Sequence, residues 1–266
     1  MQLSVFTKPW KTMEISKLAE HVRGLGFDGV ELPVRAGFQV EPDQVEQGLP
    51  HAAKVFGDQG LKIFSVASPI DEPTIAACGA AGVPIVRICM GIDPSKGYRA
   101  CIDEFRRRCE QLVPALERSK VTIGLQNHHG NDIGSALGIM QAIEPFNRKH
   151  VAAVLDVAHC ALAGEPEEIA IDIAWAKLCM VNLKNGYRRR VEDEAGEARW
   201  KVNWVGAKEG LVSWRKTMAA LTARGYDGPL CLTAEYSDPQ VVDRQIAEDL
   251  AYARELSPSP TGRGRG

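Results

Sequence analysis

The stretch VAAVLDVAHC, residues 151–160, decides how the chain is read. Its first five residues are apolar at both parities and too few for a stable helix, the pattern of a parallel strand buried on both faces. The run stops at a carboxylate, Asp156, which by alternation shares a face with Val154 and Ala152. His159 follows about one helical turn later, so two groups able to ligate a metal or move a proton stand at the C-terminal end of a central strand. A plainer reading has Asp156 capping the next segment and His159 as a surface histidine, and this stretch alone leaves both open.

Outward from it, the same unit recurs. Residues 2–7 read as a strand and 13–23 as a helix, with Ile15, Leu18, Ala19 and Val22 on one face and Gly24 and Gly26 closing it. Further strands are expected at 28–32, 61–67, 84–89, 121–126, 177–183 and 229–235. Helices are expected at 42–58, 72–81, 95–118, 133–146, 165–174, 211–223 and 238–256. Eight strand-then-helix units in 266 residues make an α/β chain, most simply a single (β/α)8 TIM barrel over residues 1–256. A doubly wound sheet is the runner-up, but FTKPWKTM, residues 6–13, lacks the glycine-rich phosphate turn that usually follows the first strand of such sheets.

One long insertion, residues 184–210, follows the seventh strand. Alternation around Gly196 predicts a β-hairpin, and Tyr187, Trp200 and Trp204 are candidates to fold over a pocket. The tail SPSPTGRGRG, residues 257–266, is low in complexity and expected to be disordered.

With 32 basic and 34 acidic residues the net charge is −2, so no global field draws nucleic acid or an anionic membrane. MQLSVFTKPW, residues 1–10, lacks the basic segment and apolar core of a secretory signal, and no apolar run is long enough to cross a bilayer. A cytoplasmic location is the expectation. The seven cysteines are scattered, odd in number and without a Cys-X-X-Cys pair, as for buried thiols in a reducing compartment.

The strands run apolar and then end on a group able to act: Lys8, Glu31, Ser68, Arg87, Gln126, Asp156, Asn182 with Lys184, and Glu235. In a barrel these ends converge on the floor of the active site. Gln126, Asp156, Asn182 and Glu235 offer oxygen ligands from four successive strands, which suits Mg²⁺ or Mn²⁺, and His159 adds tolerance for Co²⁺ or Zn²⁺. Each has a plainer alternative: Gln126 and Asn182 hydrogen-bonding within the floor, Arg87 neutralising Glu31 or Asp156.

GFDGVEL (26–32), IGLQNHHG (123–130), LDVAH (155–159) and GYDGPLCLTAEY (225–236) resemble the xylose-isomerase-like barrels, and the resemblance runs from about residue 2 to 256. That superfamily includes sugar phosphate isomerases and epimerases, hydroxypyruvate isomerase and the endonuclease IV type. The resemblance implies a divalent metal among a Glu on strand five, the Asp of Asp-X-X-His, a His on strand seven and a Glu on strand eight. Gln126, Asp156, Asn182 and Glu235 hold those positions, so two of the usual ligands are neutral amides and weaker metal binding is expected. Gln126 cannot serve as a second carboxylate base, which disfavours two-face epimerisation relative to one-face isomerisation or elimination. Glu235 is then the base and His159 or Lys184 the acid.

Arg87, His128, Glu31 and Lys8 are the candidate substrate contacts, with Lys8, Arg87 and Lys184 available to a phosphate or carboxylate. His128 is chosen over His129 because parity turns it toward the mouth with Gln126. The resemblance thus implies a divalent-metal-dependent sugar isomerase or epimerase-like enzyme acting next to a carbonyl on a small-molecule carbohydrate. A dehydratase or other lyase on a keto-sugar or cyclitol, and a non-catalytic sugar-binding barrel, stay open as alternatives. A DNA phosphodiesterase is disfavoured, because the endonuclease IV type resembles a histidine-rich three-zinc site and this chain has six histidines in all. A homodimer is left open.

Overall fold

The computed structural model describes residues 1–194 and 196–257. Each short apolar run forms a strand: β1 (Gln2–Phe6), β2 (Gly29–Pro33), β3 (Lys62–Ala67), β4 (Ile85–Cys89), β5 (Thr122–Gln126), β6 (Val151–Asp156), β7 (Leu178–Leu183), β8 (Asn185–Glu194), β9 (Glu197–Val205) and β10 (Pro229–Leu232). All except β8 and β9 are parallel and close into a barrel in the order β1-β10-β7-β6-β5-β4-β3-β2. The covering helices are α1 (Ile15–Leu25), α2 (Val45–Asp58), α3 (Glu72–Ala81), α4 (Tyr98–Ser119), α5 (Ala136–Ile143), α6 (Val157–Leu162), α7 (Glu167–Ala174), α8 (Trp214–Ala223) and α9 (Val242–Leu256). This is the expected (β/α)8 TIM barrel. From residue 258 onward the expected tail lies outside the described residues.

Alternation divides the apolar interior in two. Phe6, Ala67, Ile85, Val154, Met180 and Cys231 point inward and fill the barrel, while Val5, Leu32, Leu125, Leu155, Leu230 and Leu232 face outward under the helices. Inside, volume is tight: a Cβ at Gly124 would stand 2.6 Å from Val154 Cγ2. Apolar residues therefore plug the barrel below its C-terminal ends, and the polar residues that end the strands lie above that plug.

The element the sequence did not announce is α6, which begins directly at the end of β6. At six residues it is too short to show a helical period. Asp156 is its N-cap, with Oδ1 accepting the backbone N–H of Ala158 at 3.1 Å and of His159 at 3.3 Å. The capping reading of Asp156 therefore holds, but His159 is buried rather than on the surface, because α6 turns it back onto the barrel mouth.

The insertion after β7 is the antiparallel β8–β9 hairpin. Asn185 anchors its root: Oδ1 accepts Gly186 N–H at 3.0 Å and Val212 N–H at 2.9 Å, and Nδ2 donates to Ala207 O at 2.7 Å and Val212 O at 2.9 Å. Trp204, opposite Gly186, packs over the mouth, whereas Trp200, opposite Arg190, is 62% exposed. Four residues of strand, about 13 Å, carry Trp200 beyond the barrel rim, so it does not join the cover. Tyr187 is half-buried and accepts a hydrogen bond from Asn203 Nδ2 at 3.3 Å.

All seven cysteines are free thiols, five of them buried. Among the described residues no helix is long and apolar enough to cross a membrane.

Candidate active site at the barrel mouth

Asp156 is fully buried and locked from several sides. Asn127, just past β5, accepts the Asp156 backbone N–H at 2.8 Å and donates to its carbonyl at 3.0 Å. Gln126 donates from Nε2 to Asp156 Oδ2 at 3.0 Å. Burial pushes the Asp156 carboxyl up to about 6, against the opposing pull of the Lys184 ammonium and the His159 backbone N–H. Asn182 pairs in register with Asp156 on the next strand and is buried, with no hydrogen-bond partner for Oδ1 among the described residues.

Glu235 is the other anion at the mouth. Strand β10 ends at Leu232, short of the expected residue 235, and Ala234 adopts φ of 52°. That left-handed conformation disfavours any residue with a Cβ and costs about 1–2 kcal/mol. It means the turn, rather than strand parity, aims Glu235. The carboxylate is gripped by Lys184, with Nζ 2.8 Å from Oε2, and by Lys8 on Oε1. Burial would raise the carboxyl, but the two ammonium groups outweigh it and hold Glu235 down to about 2. Lys184 is only 5% exposed, its ammonium lies 3.8 Å from the Trp204 ring centroid, and its backbone carbonyl accepts from Trp214 Nε1 at 3.2 Å. Lys184 is thus fixed between the hairpin tryptophan and the base of the mouth.

Glu31 and Arg87 meet each other rather than standing free. Arg87 donates from Nε and Nη2 to the two Glu31 oxygens at 2.9 and 2.8 Å, and Ser65 Oγ adds a third bond at 3.0 Å. Burial would depress the guanidinium, yet the Glu31 charge and its hydrogen bonds hold Arg87 above its ordinary range. The three cations proposed for a substrate anion are therefore committed: Lys8 and Lys184 to Glu235, Arg87 to Glu31.

Three imidazoles close the β5–β6 side. His128, His129 and His159 have ligating atoms within 4.8 Å of one another, and Trp204 packs edge-on against His129 and His159. His128 is half-exposed at the mouth, with Nδ1 2.7 Å from Asp132 Oδ2. His159 Nδ1 accepts the His129 backbone N–H at 3.2 Å, which leaves the proton of the neutral ring on Nε2, 3.6 Å from Asp156 Oδ2. Burial, reinforced by Lys184 and His128, holds His159 far below its ordinary range, so it stays neutral and its acid role does not run through an imidazolium.

The donor set fits a resident divalent ion poorly. The carboxylates are already met by protein cations: Glu31 by Arg87 and Glu235 by Lys8 and Lys184, with the Lys184 charge also acting on Asp156. Gln126 turns its amide N–H toward Asp156. In the neutral His159 ring Nε2 presents a proton rather than a lone pair. A divalent ion would add two uncompensated charges to a buried site. What favours one is Asn182 Oδ1, a buried oxygen open to a cation or to a substrate hydroxyl, together with the His128, His129 and His159 cluster, in which His129 Nδ1 and His159 Nε2 are buried without a hydrogen-bond partner among the described residues.

Two open cavities flank this set. One of about 510 Å³ lies beside Lys8, Trp10, Trp204 and Glu235, and one of about 670 Å³ lies beside Arg35, Ser68, Arg87 and Cys89. Asn127 and Arg35 belong to the site without having been singled out by the sequence. Asn127 is one more residue in a polar run, and Arg35 lies two positions beyond its strand, so neither carries a spacing signal.

A closed parallel barrel whose ionisable groups gather at the C-terminal ends of its strands has the architecture on which barrel enzymes build their active sites. The chain belongs to the xylose isomerase-like TIM barrel family, which matches residues 19–256. No curated protein matches the sequence. Among solved structures it is similar to D-psicose 3-epimerase with D-tagatose from Clostridium cellulolyticum H10, at 14% identity over 97% of this chain and 100% of that one, with a TM-score of 0.74. It is also similar to 3-keto-D-glucoside 4-epimerase from E. coli, at 14% identity, 96% and 99% coverage and a TM-score of 0.71. A third is the probable 3-DHS dehydratase of petrobactin synthesis from Bacillus anthracis, at 12% identity, 94% and 99% coverage and a TM-score of 0.69. At these identities the likeness is one of fold.

Proposed function

We propose that the chain is an isomerase-class enzyme that moves a proton on the carbon beside the carbonyl of a sugar, keto-sugar or sugar phosphate. The contact between Glu235 and Lys184, 2.8 Å apart under Trp204, carries this reading. A base and a proton donor held together suit one-face chemistry. Glu235 removes the proton from carbon, and Lys184 delivers one to the carbonyl oxygen, giving an enediol. Glu235 then returns its proton to the former carbonyl carbon while the neighbouring hydroxyl gives its proton back to Lys184, which isomerises the substrate; if Glu235 instead protonates a departing β-hydroxyl and the enediol hydroxyl gives its proton back to Lys184, water is lost and elimination results.

In the resting site the two lysines make Glu235 a weak base. A carbonyl oxygen that engages Lys184 loosens that ion pair and raises the basicity of Glu235 where it is needed. Neutral His159 and half-exposed His128 border the same space and supply hydrogen bonds to substrate hydroxyls. The sugar epimerases and the dehydratase that share the fold support a polyhydroxylated carbonyl substrate. The test is a panel of ketoses, aldoses, inosose-like and keto-glycoside compounds incubated with chelator-treated protein in D₂O. Deuterium should enter the carbon beside the carbonyl of at least one compound, and a panel with no exchange overturns the reading.

A second reading keeps a divalent ion, Mn²⁺ or Mg²⁺ with Co²⁺ or Zn²⁺ as substitutes, among Gln126, Asp156, Asn182 and Glu235. Its support is the unpartnered Asn182 Oδ1. Such an ion would supply Lewis-acid polarisation of the carbonyl. Followed by electron paramagnetic resonance, Gln126→Glu should tighten Mn²⁺ binding about tenfold or more, since a third carboxylate offsets the cation. Unchanged affinity would remove residue 126 from any ligand set.

A further inference from the structure

The cavity of about 670 Å³ on the β3–β4 side of the mouth has a charge pattern that the proton-transfer pair does not use. Four cations line it, Arg35, Arg87, Lys96 and Arg108, with the carboxylates Asp93 and Glu104. Most are already engaged. Arg87 is held by Glu31, Lys96 by Glu104 at 2.9 Å, and Arg108 donates to the Ile70 carbonyl at 2.6 Å. Asp93 accepts from Ser95 at 2.9 and 2.7 Å. Counting Glu31 behind Arg87, four cations meet three carboxylates, and the one left over is Arg35. Among the described residues no side-chain hydrogen bond or ion pair to Arg35 is formed; its guanidinium lies 5.8 Å from the Phe6 ring centroid, with that of Arg87 at 4.9 Å.

Two further observations point to a ligand. Ser68 lines the same cavity, is buried, and has no hydrogen-bond partner for Oγ among the described residues. The Arg35 backbone is fixed: its N–H donates to Val40 O at 3.2 Å and its carbonyl accepts Phe38 N–H at 3.1 Å, around Gly37 at φ 75°. Burial and the neighbouring Arg87 pull the Arg35 guanidinium below its ordinary range, outweighing the opposite pull of Glu31 and Glu235. The Phe6 ring that both guanidiniums face ends β1, two residues before Lys8, the lysine on Glu235, so the cavity and the reactive pair open on the same mouth.

We propose that this cavity receives an oxyanion group of the substrate, a phosphate or a carboxylate, with Arg35 as counter-ion and Ser68 Oγ–H as second donor. The substrate is then an anionic sugar derivative, a sugar phosphate or a sugar acid, rather than a neutral ketose. Resting on the reading of the mouth as a carbohydrate site, the inference names which carbohydrates enter. An arginine fork matches both oxyanions, and a rigid polar pocket holds them at fixed distance from the carbonyl.

The test is isothermal titration of the full chain with inorganic phosphate, D-fructose 6-phosphate, D-glucuronate and D-fructose. Phosphate and at least one anionic sugar should bind more tightly than D-fructose, and Arg35→Gln should weaken both by about tenfold or more. Ser68→Ala should weaken them less, Arg35→Lys should restore part of the loss, and Lys54→Gln, in an exposed pair with Asp58 on α2 and outside this cavity, should change nothing. Preference for D-fructose 6-phosphate over D-glucuronate assigns a phosphate, and the reverse order a carboxylate. Equal binding of neutral and anionic sugars, or phosphate binding indifferent to both Arg35→Gln and Ser68→Ala, overturns the subsite. Because binding is read without turnover, deuterium exchange on a neutral sugar with no phosphate binding sinks the subsite alone. Arg35-dependent binding with no exchange on any compound sinks the proton-transfer reading alone.

Discussion

Glu235→Gln lowers kcat by about a thousandfold on whichever compound undergoes exchange, the scale expected when a positioned base is lost. The amide keeps the shape of the side chain, and its single oxygen can still accept from Lys184, while Lys8, whose side chain is 45% exposed, loses its acceptor and turns to water; the mouth loses a proton acceptor and one ion pair at its rim. KM should move far less than kcat, because Arg35, His128 and His159 are untouched. Melting temperature serves as the control: Glu235 is 24% exposed on its side chain, and its substitution leaves no deeply buried charge stranded except Lys184, which retains its contact with Trp204. A loss below tenfold would remove Glu235 from the chemistry. In that case Asp156, or Asp132 through His128, would have to be the base.

Arg87→Met destabilises the fold by about 3–5 kcal/mol, the cost of leaving a buried partner charge unpaired. Glu31 is buried between β1, β3, β4 and β10, and without Arg87 it keeps, among the described residues, Ser65 and the weak Cys231 thiol as side-chain donors. Glu31→Gln alone should cost a similar amount by stranding the guanidinium. The double variant Glu31→Gln with Arg87→Met should recover much of the loss, since neither charge then remains. Urea unfolding of the four proteins measures this. Additive losses, with no recovery in the double variant, would contradict the pairing as the main role of these two residues.

The architecture was legible because barrel strands buried on both faces are short apolar runs with abrupt polar ends, and the helices between them show a plain apolar stripe. Residues 13–23 illustrate it, since Leu18, Ala19 and Val22 of the expected apolar face are the buried residues of α1. What escaped was whatever depended on a turn. Helix α6 follows β6 with no intervening loop, so its apolar residues read as strand-end residues, and the choice between a surface His159 and one at the mouth stays open until α6 is seen to bury it. Ala234 turns left-handed where alternation alone would continue the strand to residue 235.

The identities at the strand ends were readable; their pairings were not. Nothing in one sequence says that Arg87 will reach Glu31 across β3, or that Lys184 will bend back to Glu235 under a tryptophan twenty residues further on. Those pairings alter the chemistry. They occupy the cations expected to meet a substrate anion and neutralise the carboxylates expected to hold a metal. They leave Arg35, two residues past a strand end, as the cation without a partner.

The mouth works either through its own lysine or through a metal. The direct measurement is the rate of deuterium uptake at the carbon beside the carbonyl in chelator-treated protein, with and without added Mn²⁺, for the wild type and for Lys184→Met. Uptake in the metal-free wild type, little changed by Mn²⁺ and abolished by Lys184→Met, is the predicted result. Uptake that appears only after Mn²⁺ is added, and survives the loss of Lys184, would contradict it.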